Sequence, residues 1–270
     1  MMRPPLVRFA SLLAALMFQF AGSAKSDERA DALFDVSQTA LGQSLPDITF
    51  VDTEGKKVSL RDFRGRPLLV SLIYAGCADV CPTLIENLVP AVEAAQSALG
   101  RDSFSVITIG FDTRQDPPQR LKSFAVARGA DLPGWTFLSA EVDSLDGLAR
   151  AVGFGFYSRA GGFDHLSQVS IVDGDGKLYQ QVYGAVFEPP LIVEPLKTLV
   201  FKRDRPLLSM TQLINRVKFF CTVYDPSSGR YYFNYSLFMG IAIGFACFGF
   251  VLFALIREWR KGVVGSTEIS

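Results

Sequence analysis

The stretch that most constrains the fold runs from Leu68 to Glu86. Leu68-Leu-Val-Ser-Leu-Ile-Tyr74 is an apolar, branched run that reads as a buried strand. Gly76 permits a tight turn, and Cys77 and Cys81 follow, four residues apart. Pro82 and then Thr83-x-x-Glu86 come next, the spacing of a capping box. Proline suits the first turn of a helix, where its missing N–H would lack a partner anyway. The pattern predicts a helix from about Pro82 to Leu99, closed by Gly100, with the cysteines at its positive end. That end favours thiolate, so at least one thiol is expected to have a depressed pKa.

Two cysteines at i and i+4 on one helix hold their Cβ atoms ~5–6 Å apart. A disulfide needs ~3.5–4.5 Å. A pair that bridges therefore places Cys77 in the loop and Cys81 at the helix start. Two soft thiolates suit Cu(I), whereas zinc asks for four ligands. An inert structural bridge is the alternative that the cysteines alone leave open.

The flanking pattern is α/β. Asp47–Val51 and Lys57–Leu60 surround Asp52-Thr-Glu-Gly55, a hairpin signal. Phe104–Phe111 reads as a second buried strand, Asp116–Arg128 as a helix, Gly134–Leu138 as a short strand and Ser144–Val152 as a helix. The Gly- and aromatic-rich segment from Gly153 to Asp164 reads as a loop. Ser167–Val172 and Leu178–Tyr183 flank Asp173-Gly-Asp-Gly176, a hairpin turn, and Pro189–Val200 closes as a helix. This order predicts a mixed sheet flanked by helices. A cysteine motif at the end of the first central strand, opening the first long helix, is the thioredoxin-like arrangement.

The ends differ from the middle. Residues 1–24 read as a signal peptide, with Arg3 and Arg8, an apolar core and Gly22-Ser-Ala24. Residues 25–44 read as a linker and 45–203 as the thioredoxin-like domain. Residues 204–235 form a juxtamembrane segment containing Cys221 and the Asp225–Gly229 turn. Ser236 to Ile256 carries no charge, and as a helix spans ~31 Å, one bilayer core. Arg257, Arg260 and Lys261 open the 257–270 tail. By the positive-inside tendency the tail is cytoplasmic and the thiol domain lies on the exported, periplasmic side. Lys+Arg and Asp+Glu are both 27, which argues against nucleic-acid binding. A single histidine, His165, excludes any site built on several imidazoles.

Cys77-Ala-Asp-Val-Cys81-Pro82, Asp164-His165 and Asp112-x-x-x-Asp116-x-Pro118-x-x-Leu121 together resemble the Sco/SenC family of copper chaperones. The resemblance covers roughly Leu45 to Val200. It implies a membrane-tethered thioredoxin-like protein that assists assembly of the copper centre of cytochrome c oxidase. Cys77 and Cys81 would bind copper as thiolates, with His165 as third ligand, for Cu(I) and Cu(II). Implied partners are the copper-containing oxidase subunit and other copper chaperones. The chain departs from the family at Ala78, usually Pro, at Leu166, often Ser, and in carrying its clear span at the C-terminus rather than the N-terminus.

A thiol-disulfide reductase that keeps the oxidase copper-site cysteines reduced is the rival reading, so whether the protein is an enzyme stays open at this level. No proline lies between Gly134 and Phe187, where plain thioredoxin-like reductases place a cis-proline facing the cysteines. Tyr74 stands where a peroxidatic cysteine usually has Thr or Ser. Asp79 reads as a turn former, Glu86 as a helix cap, Cys221 as an interfacial cysteine and Cys247 as packing.

Overall fold

The computed structural model describes residues 29–78, 80–159, 161–202, 222–225, 230–233 and 235–264. Two compact units divide the chain, Met1–Asp204 and Arg205–Ser270. In the first, a helix over 29–39 (α1) precedes the hairpin β1 (Thr49–Asp52) and β2 (Lys57–Ser59). Then follow β3 (Leu68–Ile73), α2 (Val80–Leu99), β4 (Ser105–Gly110), α3 (Pro118–Ala127), β5 (Trp135–Ser139) and α4 (Val142–Ala151). The hairpin β6 (Phe156–Arg159) and β7 (Gly162–His165) comes next, then β8 (Gln168–Val172), β9 (Leu178–Tyr183) and α5 (Pro190–Lys202).

Seven strands form one mixed sheet in the order β2-β1-β5-β4-β3-β8-β9. β3, β4 and β5 are parallel neighbours, and the outer strands join antiparallel. Every residue of β3, β4 and β8 is buried, as expected for central strands covered on both faces. Hydroxyls in such strands need partners. Ser71 Oγ and Thr108 Oγ1 meet at 2.8 Å, and the Trp135 indole N–H donates to Thr108 at 2.9 Å, linking the three parallel strands side to side. The two predicted hairpins form at Gly55 (φ 83°) and Gly176 (φ 84°), positions only glycine occupies at no steric cost.

Three expectations change. Residues 25–44 are not only a linker, because α1 forms three turns that bury Leu33 and Ser37, with Ala40 buried just after it. The 153–164 segment is a β-hairpin, with Phe156 opposite His165 and Tyr157 opposite Asp164. α2 begins at Val80, so Thr83 and Glu86 lie inside it and form no capping box; Glu86 pairs with Arg128 at 3.4 Å.

In the second unit, β10 (Thr222–Asp225) pairs antiparallel with β11 (Arg230–Phe233), and α6 runs from Ser236 to Val264. Among the described residues no helix is long and apolar enough to cross a membrane. The side chains of α6 are described without a break only from Phe238 to Phe253, shorter than the span read from the sequence. There Phe245, Phe248, Phe250 and Phe253 are exposed. Among the described residues Gly240 and Gly244 have no neighbour within 4 Å of a notional Cβ. The signal segment, Asp79 and Cys221 lie outside the described residues.

Candidate metal centre

Sheet register gathers the site at the carboxyl ends of β3 and β4. The chain leaves β3 at Ile73 into the cysteine loop, and β4 ends alongside it, with Phe111 N–H donating to Ile73 O at 2.8 Å. β8 runs antiparallel to β3 with Ser71 opposite Val169. The residues just before β8 are thereby carried to the same end, and His165 closes β7 three positions before Gln168.

Cys77 lies in the loop, half-buried, its N–H donating to Tyr74 O at 3.0 Å. Cys81 lies in the first turn of α2 and is 1% exposed. No disulfide joins them, so both are thiols. Cys81 N–H donates to Cys77 Sγ at 3.4 Å, one of the N–H groups that a helix start leaves without an internal partner. Cys81 Sγ stands 4.0 Å from His165 Nε2. The Leu166 carbonyl can only accept, so the 3.2 Å contact with His165 Nδ1 puts the ring proton on Nδ1. Nε2 then turns a bare lone pair toward Cys81. Burial lowers the His165 pKa and so favours this neutral, ligating form. Asp164 does not orient the ring; it pairs with Arg159 at 3.1 Å across the hairpin.

Of the two thiols, Cys81 is not one with a depressed pKa, because burial raises it. Desolvation comes first and the Cys77 charge adds to it, and the pKa rises despite a backbone hydrogen bond from Tyr74 that lowers it. The Tyr74 hydroxyl, pushed up to about 12 by burial first, hydrogen-bonds the Cys77 sulfur.

Sequence reasoning missed the aromatic box around the imidazole. Phe111 is its hub, with ring centroids 5.2 Å from Phe154, Phe156 and Phe163, 5.3 Å from His165 and 5.4 Å from Tyr74. A period of two was available as a signal: Phe154 and Phe156 on one side, Phe163 and His165 on the other.

Asp116 underlies both loops. Its carboxylate, 1% exposed, accepts from Ala75 N–H at 2.9 Å and Asp112 N–H at 3.1 Å. Burial raises its pKa to about 6 against the pull of those two bonds. The unfolded chain releases this proton near pH ~3.9. Between about pH 4 and 6 the folded state therefore holds more protons than the unfolded one, and stability falls as pH rises through that window, by at most ~3 kcal/mol. Asp116→Asn is expected to remove this slope in urea midpoints taken at pH 4, 5 and 6. An unchanged slope would assign it to another group.

With metal bonds like those of zinc, ~2.3 Å to sulfur and ~2.0 Å to nitrogen, two donors on one ion stand roughly 3.5–4.3 Å apart. The 4.0 Å between Cys81 Sγ and His165 Nε2 fits that range. Two thiols and a neutral imidazole suit a soft-to-borderline ion such as copper. Among the described residues no three such side chains close into a ready cage.

The SCO1/SenC family model matches residues 38–200, more than half of the chain. The chain belongs to the SCO1/SenC family. The SCO1 protein homolog of Bacillus subtilis (strain 168) is 26% identical over 155 residues, 55% of this chain and 78% of that one. Bradyrhizobium japonicum ScoI, solved with copper bound, is 21% identical with a TM-score of 0.50 over 59% of this chain and 99% of that one. The structure of BsSco, described as a member of the Sco family of cytochrome c oxidase assembly proteins, is 22% identical with a TM-score of 0.53 over 59% and 95%. At those identities the two solved structures establish the shared SCO1/SenC fold.

Proposed function

We propose that this protein is a membrane-anchored copper-binding chaperone, and that it holds copper through Cys77, Cys81 and His165 for the copper centre of cytochrome c oxidase. The observation that carries the reading is the bare His165 Nε2 facing the buried Cys81 sulfur at 4.0 Å, with Cys77 one turn away on the loop. Membership of a family that includes an oxidase assembly protein and a copper-bound relative supports both the metal and the target. Copper is cargo here. The chain supplies two sulfurs and one nitrogen, excludes water with the Phe111 cluster, and leaves Cys77 as the donor that a receiving protein can reach.

The reductase reading has its own support, a half-buried Cys77 beside a buried Cys81. In that chemistry the Cys77 thiolate attacks a target disulfide and one target thiolate leaves. Cys81, losing its proton, then attacks Cys77 Sγ. A Cys77–Cys81 disulfide forms and the second target thiol is released, so two electrons pass to the target.

Anaerobic titration of the full chain with Cu(I), with thiols counted before and after, separates the two. The chaperone reading expects one copper per chain and no thiol oxidised. A chain that binds no copper yet reduces a model disulfide stoichiometrically would overturn it.

The anchor rests on the uncharged stretch from Ser236 to Ile256 within α6 and the Arg257, Arg260, Lys261 cluster after it. A reporter fused after Ser270 is expected to be active only on the cytoplasmic side. Activity confined to the periplasmic side would reverse the topology.

A further inference from the structure

We infer that α1 is a positioning element of the metal site: by packing against Gly153 and Gly155 it sets strand β6, and through β6 the ring of His165. This rests on the reading of His165 as a copper ligand. α1 lies almost wholly ahead of residues 38–200, which the family match spans.

The contacts form a continuous track. A Cβ on Gly153 would lie 2.6 Å from Ser37 Cα and from Val36 O, so the helix backbone rests directly on that glycine. A Cβ on Gly155 would lie 2.4 Å from Leu33 Cδ2. Between the two glycines stands Phe154, whose ring is 5.5 Å from that of His165. The next residue along, Phe156, is the cross-strand partner of His165. At the far end of α1 the Arg29 guanidinium lies 5.9 Å from the Tyr157 ring centre, again on β6.

The helix is also tied to the strand that follows the histidine. Ser37 Oγ donates to Gln168 Oε1 at 2.9 Å, and Gln38 Nε2 donates to Tyr183 Oη at 2.6 Å. Gln168 Nε2 in turn donates to Val152 O at 3.0 Å. α1 thus braces the chain on both sides of His165, at 152–157 and at 168. Its effect falls on the nitrogen donor. Cu(II) depends on that donor, while two thiolates suffice for Cu(I).

The test exchanges volume across the contact. Gly155→Val adds three carbons where Leu33 sits, and Leu33→Ala removes three. Gly155 does not occupy the left-handed region, so its backbone accepts valine. In the full chain Gly155→Val is expected to lower Cu(II) retention ~10-fold or more, the scale of a lost outer-shell support. It should weaken the thiolate-to-Cu(II) absorption and leave Cu(I) binding unchanged. The double variant Gly155→Val/Leu33→Ala, close to volume-conserving, is expected to recover most of the loss. A folded Gly155→Val with an unaltered Cu(II) spectrum overturns the inference, as does a double variant that recovers nothing.

If Gly155→Val fails to fold, Ser37→Ala decides. It cuts the Ser37 hydrogen bonds to Gln168 and Tyr183, leaving that of Gln38, without touching the aromatic box, and is expected to cost Cu(II) several-fold and Cu(I) nothing. Unchanged Cu(II) retention in Ser37→Ala would then overturn it. His165→Ala run alongside separates the two ideas. If it keeps Cu(II), the ligand reading fails; if it loses Cu(II) while Gly155→Val keeps it, only the role of α1 fails.

Discussion

His165→Ala is expected to retain Cu(I) and to lose the visible thiolate-to-Cu(II) absorption, with Cu(II) affinity falling beyond the ~10–100-fold that loss of an outer-shell partner costs. The substitution removes one neutral nitrogen and leaves both sulfurs, and two thiolates still make an adequate site for Cu(I). Cu(II) loses its borderline donor. Among the described residues no donor nearby replaces it, and the ring is walled by Phe111, Phe154 and Tyr74. Thiol exchange needs no such nitrogen and should be barely affected, so the variant also distinguishes copper holding from reduction. A Cu(II) spectrum identical to wild type would remove His165 from the site. Loss of Cu(I) too, in a protein that stays folded, would make the nitrogen a ligand in both oxidation states.

The largest stability effect is expected at Phe111. It is 2% exposed and touches five other rings, so truncation to alanine leaves a cavity that those rings, anchored on three separate segments, fill only partly. Phe→Ala in such a place costs ~3–5 kcal/mol. Denaturant midpoints of wild type and Phe111→Ala measure it directly, and a change below ~1 kcal/mol would mean that the box collapses onto the gap. Phe111→Leu, which keeps most of the volume, should cost roughly half as much or less.

Much of this architecture was legible in the sequence because burial leaves a plain record in central strands. Leu68–Tyr74 and Phe104–Phe111 are mainly apolar runs, interrupted by Ser71, Ser105 and Thr108, and strands form in both as expected. Gly55 and Gly176 marked the two hairpins. The loop-then-helix placement of Cys77 and Cys81 followed from the reach of a disulfide, and the structure has it so. The readings that failed depended on tertiary context. α1 looked polar because only Leu33, Ser37 and Ala40 of its stretch are buried, too few to mark a face. The β6–β7 hairpin looked like a loop because its glycines and aromatics serve a local cluster rather than the main sheet. The rise of the Cys81 pKa was not legible either, because a sequence shows a helix start but not the loss of water around one sulfur.

The spacing of the α1 contacts along the chain orders the events of folding. Ser71 and Thr108, which join the strands beside the cysteine loop, are 37 residues apart. Ser37 must meet Gln168 and Tyr183 across 131 and 146 residues. Closing longer loops costs more entropy, and contacts of high separation form late. The sulfur side of the pocket therefore assembles from a short, early length of chain, whereas the imidazole side waits until the polypeptide has grown past Tyr183 and its beginning has come back to meet it.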